Sequence, residues 1–97
     1  MTRVYIAGPM SGIENLNYPE FNRAAAQLRD LGYHVENPAE NPAPPCGSWE
    51  GYMRLAIAQL VTCEEIHLLR GWSNSRGANI ERYVADVLGL VVSGASA

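Results

Sequence analysis

Four short strand-like runs, Val4-Tyr5-Ile6-Ala7, Tyr33-His34-Val35-Glu36, Ile66-His67-Leu68-Leu69 and Leu90-Val91-Val92, alternate along this chain with three stretches of helical periodicity. That alternation limits the fold more than any other feature. Parallel strands need long crossovers, and helices on both faces allow such strands to be apolar. Right-handed crossovers leave few layouts. The pattern predicts an α/β fold, a flavodoxin-like or Rossmann-like three-layer sandwich with a four-stranded parallel sheet in the order 2-1-3-4. Residues 1–92 read as one domain, and the small, polar residues 93–97 as a disordered tail.

The helices carry their own punctuation. Pro19 fits the first position of a helix, Phe21, Ala24, Ala25, Leu28 and Leu31 repeat at helical spacing, and Gly32 supplies the stop. Ser48 caps a second helix, whose apolar face reads Tyr52, Met53, Ala56, Ile57, Leu60 and Val61. Ser75 begins a third, with Ile80, Val84 and Val87 at the centre of its stripe and Glu81 on the flank. In sheets of this kind ligands bind beyond the carboxyl ends of the strands. The loops at that edge are residues 8–17, 37–47 and 70–75, and they hold nearly all the unusual chemistry.

Composition removes several classes of function. The formal net charge is −3, and all seven basic residues are arginines spread along the chain. A nucleic-acid surface needs a basic stripe, so none is expected. Without lysine there is no Schiff base, no pyridoxal anchor and no P-loop lysine. Cys46 and Cys63 form no C-x-x-C pair, and the strand pattern begins at once with no leader, so a cytoplasmic location is expected. No apolar run approaches the roughly 20 residues of a membrane helix. His34 and His67 lie in strand patterns without metal-ligand spacing, so neither a metal nor an organic cofactor is expected. A core this small favours a homo-oligomer.

The candidate site centres on Ser75-Arg76-Gly77-Ala78-Asn79-Ile80-Glu81. Glu81 lies four residues after Gly77, on the same helical face, and helical side chains lean toward the N-terminus. Its carboxylate therefore reaches back over a bare glycine, toward the helix end that attracts anions. A carboxylate at the stripe's flank is half-buried, which raises its pKa unless donors oppose the shift. A surface glutamate near a plain helix start has the same spacing. Gly8-Pro9-Met10-Ser11-Gly12 follows the first strand as an anion-cradling loop would, although glycine there more often marks only a turn. Trp72 and Tyr18 are placed to stack on a base, or to pack over the sheet end.

Together these residues resemble the nucleoside 2-deoxyribosyltransferase-like superfamily, in particular its small prophage-associated members of unassigned function. The resemblance runs through Tyr5-Ile6-Ala7-Gly8-Pro9-Met10-Ser11-Gly12, the Asn37-Pro38 turn, Cys63 to Ile66, Leu69-x-Gly71-Trp72 and Ser75-x-Gly77-Ala78-x-x-Glu81. It implies that Glu81 attacks the anomeric carbon of a deoxyribonucleoside or its 5′-monophosphate, and that water or a second base resolves the ester. It also implies that Gly8, Pro9, Met10, Ser11, Gly12, Asn37, Trp72, Ser75 and Gly77 bind the substrate. Relatives complete their sites across subunits. The chain departs from the family pattern at Ala56 and Glu64, where aspartates are common, and at Arg70, often a proline; Glu40, Glu50 or a neighbouring subunit are the candidates to replace a missing acid. Three functions fit: an enzyme of the N-glycosidic bond, a catalytically inactive nucleotide-binding module of phage or prophage origin, and an interaction protein without a small ligand.

Overall fold

A computed structural model describes residues 2–97. The strands are β1 (Arg3–Ala7), β2 (His34–Glu36), β3 (Glu65–Leu68) and β4 (Val91–Gly94), and the helices α1 (Tyr18–Asp30), α2 (Trp49–Leu60) and α3 (Arg76–Val87). The strands form one parallel sheet in the order β2-β1-β3-β4. The fold is the flavodoxin-like α/β layout that the alternation predicts.

Strand alternation sorts the core into two clusters. Val4 and Ile6 of β1 point to one face and pack with Phe21, Ala24, Ala25 and Leu28 of α1 and Val35 of β2. Tyr5 and Ala7 point to the other face, among Ala56 and Leu60 of α2, Ala85 of α3, and Ile66 and Leu68 of β3. Helices thus cover both faces of the sheet, giving three layers. No described helix is long and apolar enough to cross a membrane.

Three expectations shift. Leu31 ends outside α1 and is 74% exposed, because the helix stops at Asp30 and Leu31 only caps it. In α3 the buried residues are Ala78, Glu81 and Ala85, whereas Ile80 and Val87 face outward. The helix is rotated roughly a third of a turn from the apolar-stripe reading. Alanines let its backbone come close to the sheet, and Tyr5 gives Glu81 a buried partner there. Lastly, residues 93–97 are tied down rather than loose. Ser93 and Gly94 pair with β3, the Ala95 amide donates to the Leu68 carbonyl at 2.8 Å, and the Trp72 indole donates to the Ala95 carbonyl at 3.1 Å.

Candidate active site

Glu81 stands one turn inside α3 and is buried, with 6% of its surface exposed. Its Oε2 accepts a hydrogen bond from the Tyr5 hydroxyl, itself buried in the middle of β1. Burial pushes the carboxyl up to about 7, while the Tyr5 hydrogen bond acts in the opposite direction by favouring the anion. Burial and the neighbouring Glu81 hold the Tyr5 phenol well above its ordinary range, so it stays protonated and donates. The pair is a carboxyl whose pKa burial raises toward neutrality, held in orientation by one donor.

This pair lies in the wall of a cleft of about 330 Å³ at the carboxyl end of the sheet. Three segments build most of it. After β1, Gly8, Pro9, Met10 and Ser11 form one wall. Gly8 is required there because a Cβ would come within 2.8 Å of the Leu69 Cβ. The chain then makes a left-handed turn, with φ of +54°, +53° and +60° at Asn15, Leu16 and Asn17. Such backbone is uncommon outside glycine. The Asn17 side chain braces it by donating to the Pro9 carbonyl at 3.0 Å, and Leu16 reaches the cleft.

The second wall comes from α2, where Trp49, Tyr52, Met53 and Ala56 line the cavity. The Ser48 hydroxyl caps this helix by accepting from the Gly51 amide at 3.0 Å. The third is the start of α3. The Ser75 hydroxyl accepts from the Ala78 amide at 3.2 Å, and Ser75, Arg76, Gly77 and Glu81 all line the cleft. Met53 lies against Gly77, where an added Cβ would meet its sulfur at 3.1 Å. The Arg76 guanidinium stacks over the Trp49 ring at 4.1 Å, closing the rim with a positive charge.

The structure gathers most of the expected residues and sets three apart. Gly8, Pro9, Met10, Ser11, Ser75, Gly77 and Glu81 meet in the cleft, with Tyr18. Gly12 is exposed outside the lining, in a turn with φ of +79°. Asn37 is buried, but its Oδ1 accepts from the Ala39 amide at 3.1 Å and its Nδ2 donates to Asn22 at 3.0 Å; it shapes the turn, and Pro38 and Asn41 line the cleft instead. Trp72 packs on the core beside α3, its indole committed to Ala95. Of the acids considered as substitutes, Glu40 is gripped by Arg29 at 2.8 and 2.9 Å. Glu64, at a position where the family commonly has aspartate, accepts from the Arg3 amide at 2.8 Å, at the amino end of the sheet. Glu50 is exposed and outside the lining.

Residue reading missed Tyr5 and Trp49 as site residues. Tyr5 carried a usable signal, a hydroxyl in an otherwise apolar strand that needs a partner once buried. Trp49 sits at the start of α2, where nothing in the spacing distinguishes a rim residue from a surface one.

The sheet and its covering helices have the nucleoside 2-deoxyribosyltransferase-like fold. Residues 2–93 match the family described as a domain of unknown function, DUF4406, and the chain belongs to that family. Among solved structures, the chain is similar to a 2-deoxyribosyltransferase from the psychrotolerant bacterium Bacillus psychrosaccharolyticus, with a TM-score of 0.74 and 23% identity over 95% of this chain and 70% of the other. No curated protein matches it.

Proposed function

We propose that the cleft cleaves or transfers the N-glycosidic bond of a deoxyribonucleoside or its 5′-monophosphate, with Glu81 as the nucleophile. One observation carries this reading: a buried carboxylate with a single oriented donor, in the wall of a cavity at the ligand-binding edge of the sheet. Attack on the anomeric carbon displaces the base and leaves a glycosyl ester, as in retaining glycoside cleavage. Tyr5 holds one carboxylate oxygen, which leaves the other for the sugar. The first amides of a helix lack intrahelical acceptors. With Ala78 capped by Ser75, those of Arg76 and Gly77 remain to hold a sugar oxygen or phosphate at the positive end of α3.

The structurally similar protein is a 2-deoxyribosyltransferase, which supports the same substrate class here. A second reading, a nucleotide pocket without chemistry, is favoured by Ala56, which offers only a methyl group where an acid would serve. The test is base release from deoxynucleosides and their monophosphates carrying natural and chemically activated bases, with Glu81→Gln alongside. Release by the wild type alone is expected. Nucleotide-induced thermal stabilisation without release from any substrate points to the second reading.

A further inference from the structure

Departure of a neutral base from a sugar puts negative charge on its nitrogen, so it normally needs an acid. Retaining glycosidases supply one from a second carboxyl group. Among the described residues lining this cleft, the only carboxyl is Glu81, and no histidine joins it. The other acidic side chains of the lining are phenols, a weakly acidic class, and that of Tyr5 is held well above its ordinary range while donating to Glu81. Glu40 is committed to Arg29, and Glu50 stands exposed outside the lining. What the wall offers a base is apolar and aromatic surface: Trp49, Tyr52, Met53, Ala56 and Tyr18. Aromatic faces hold planar cations, and the Trp49 ring already carries one, the Arg76 guanidinium.

We propose that the cleft acts on nucleosides or nucleotides whose base carries a fixed positive charge on the ring bonded to the sugar, such as N-glycosyl pyridiniums or N7-alkylated purines. This rests on the glycosidic reading above and narrows its substrate class. A lone pair on a Glu81 carboxylate oxygen forms the bond to C1′. The C1′–N bond breaks, its electron pair returns to the ring nitrogen and cancels the positive charge, and the base leaves without a proton. Water then adds to C1′, the ester C–O pair returns to Glu81, and the proton passes to solvent. Glu81 is the only group that the chemistry requires to be ionised.

The experiment compares 7-methyl-2′-deoxyguanosine 5′-monophosphate with unmodified 2′-deoxyguanosine 5′-monophosphate, and adds the 2′-deoxyribosyl nicotinamide 5′-monophosphate as a pyridinium arm. Base release is read chromatographically for the wild type and Glu81→Gln, the variant's fold being checked by circular dichroism. A positioned acid contributes about 10²–10⁴-fold. Release from at least one cationic substrate is therefore expected to exceed that from the neutral nucleotide by about 10²-fold or more, with the Glu81→Gln rate at background. The arm that reacts identifies the base class. Neutral and cationic substrates cleaved within about 10²-fold of each other overturn the proposal while leaving the glycosidic reading intact. No Glu81-dependent release from any of the three, or from the wider substrate panel, overturns both.

Discussion

Among the described residues two carboxylates accept from a hydroxyl, and only one of them lies in the cleft. Glu81 accepts from Tyr5 beneath α3, buried, in the wall of the cleft. Glu65 accepts from Ser93 at 2.7 Å, and Ser93 in turn meets His67 Nδ1 at 3.1 Å. That second group contains a serine, a histidine and a carboxylate, the residue types of a hydrolase triad, yet the serine sits between the other two. The histidine therefore touches the serine without a carboxylate to orient it, which is not the triad arrangement. All three side chains stand half-exposed on strands β3 and β4, outside the cleft. Burial in a shaped cavity, rather than residue type, separates a candidate nucleophile from a surface network.

The largest expected effect breaks the comparison outright. Glu81→Gln should lower base release by about 10³-fold or more, whereas Glu65→Gln should leave it within about twofold. Equal losses from both variants would remove the distinction drawn here. Tyr5→Phe sharpens it next. Removing the donor that orients the carboxylate through its other oxygen should cost about 10²-fold in kcat. Because the Tyr5 hydrogen bond lowers the Glu81 pKa, its loss should also move the acid limb of the pH–rate profile upward from about 7. A rate loss without movement of that limb would mean that Tyr5 only packs.

Stability makes the same contrast with the opposite sign. Glu81 titrates near 7 in the folded protein against an ordinary 4.5, so between those values the folded state binds more protons than the unfolded one. Stability therefore falls as pH rises through that window and levels off above about 7. The shift corresponds to about 3 kcal/mol. Glu81→Gln should gain up to about that much at pH 8 and almost nothing at pH 4, read from urea unfolding at each pH. A buried carboxylate whose removal stabilises the protein is the mark of a site kept at a cost. A variant with an unchanged pH slope would place the titrating group elsewhere.

How far the sequence could be read follows the same division between periodicity and environment. The strand–helix alternation carried the sheet order, because crossover geometry allows few alternatives. Glu81 was legible as a candidate through its spacing from Gly77. Its burial was underestimated because Ile80 and Val87 imitate a core-facing stripe around Val84, whereas Ala78 and Ala85, too small to weigh in such a pattern, face the sheet. Asn37 and Trp72 lie in the right loops, but their hydrogen bonds turn them inward, to Asn22 and Ala39 and to Ala95. Spacing places a residue at an edge and says nothing of which partner its polar atoms find. The chain end was misread for a related reason. Small polar residues look loose until Leu68 and Trp72 offer them partners across the sheet.

The smallest expected effect probes the surface network itself. Ser93→Ala removes the hydroxyl between Glu65 and His67 while keeping the β4 pairing of its backbone. Both neighbours are half-exposed, so water can replace the lost partner and the cost should be about 1 kcal/mol or less. Burial lowers the His67 pKa below 6.5, with Glu65 opposing the shift, so protonation there opposes folding only as the pH falls. Thermal unfolding of Ser93→Ala at pH 7.5 should therefore lie within a few degrees of the wild type, with base release unchanged. A loss of several kcal/mol would mean that the network is closed to water and holds β4 in place, bringing it nearer in kind to the Glu81–Tyr5 pair than its exposure indicates.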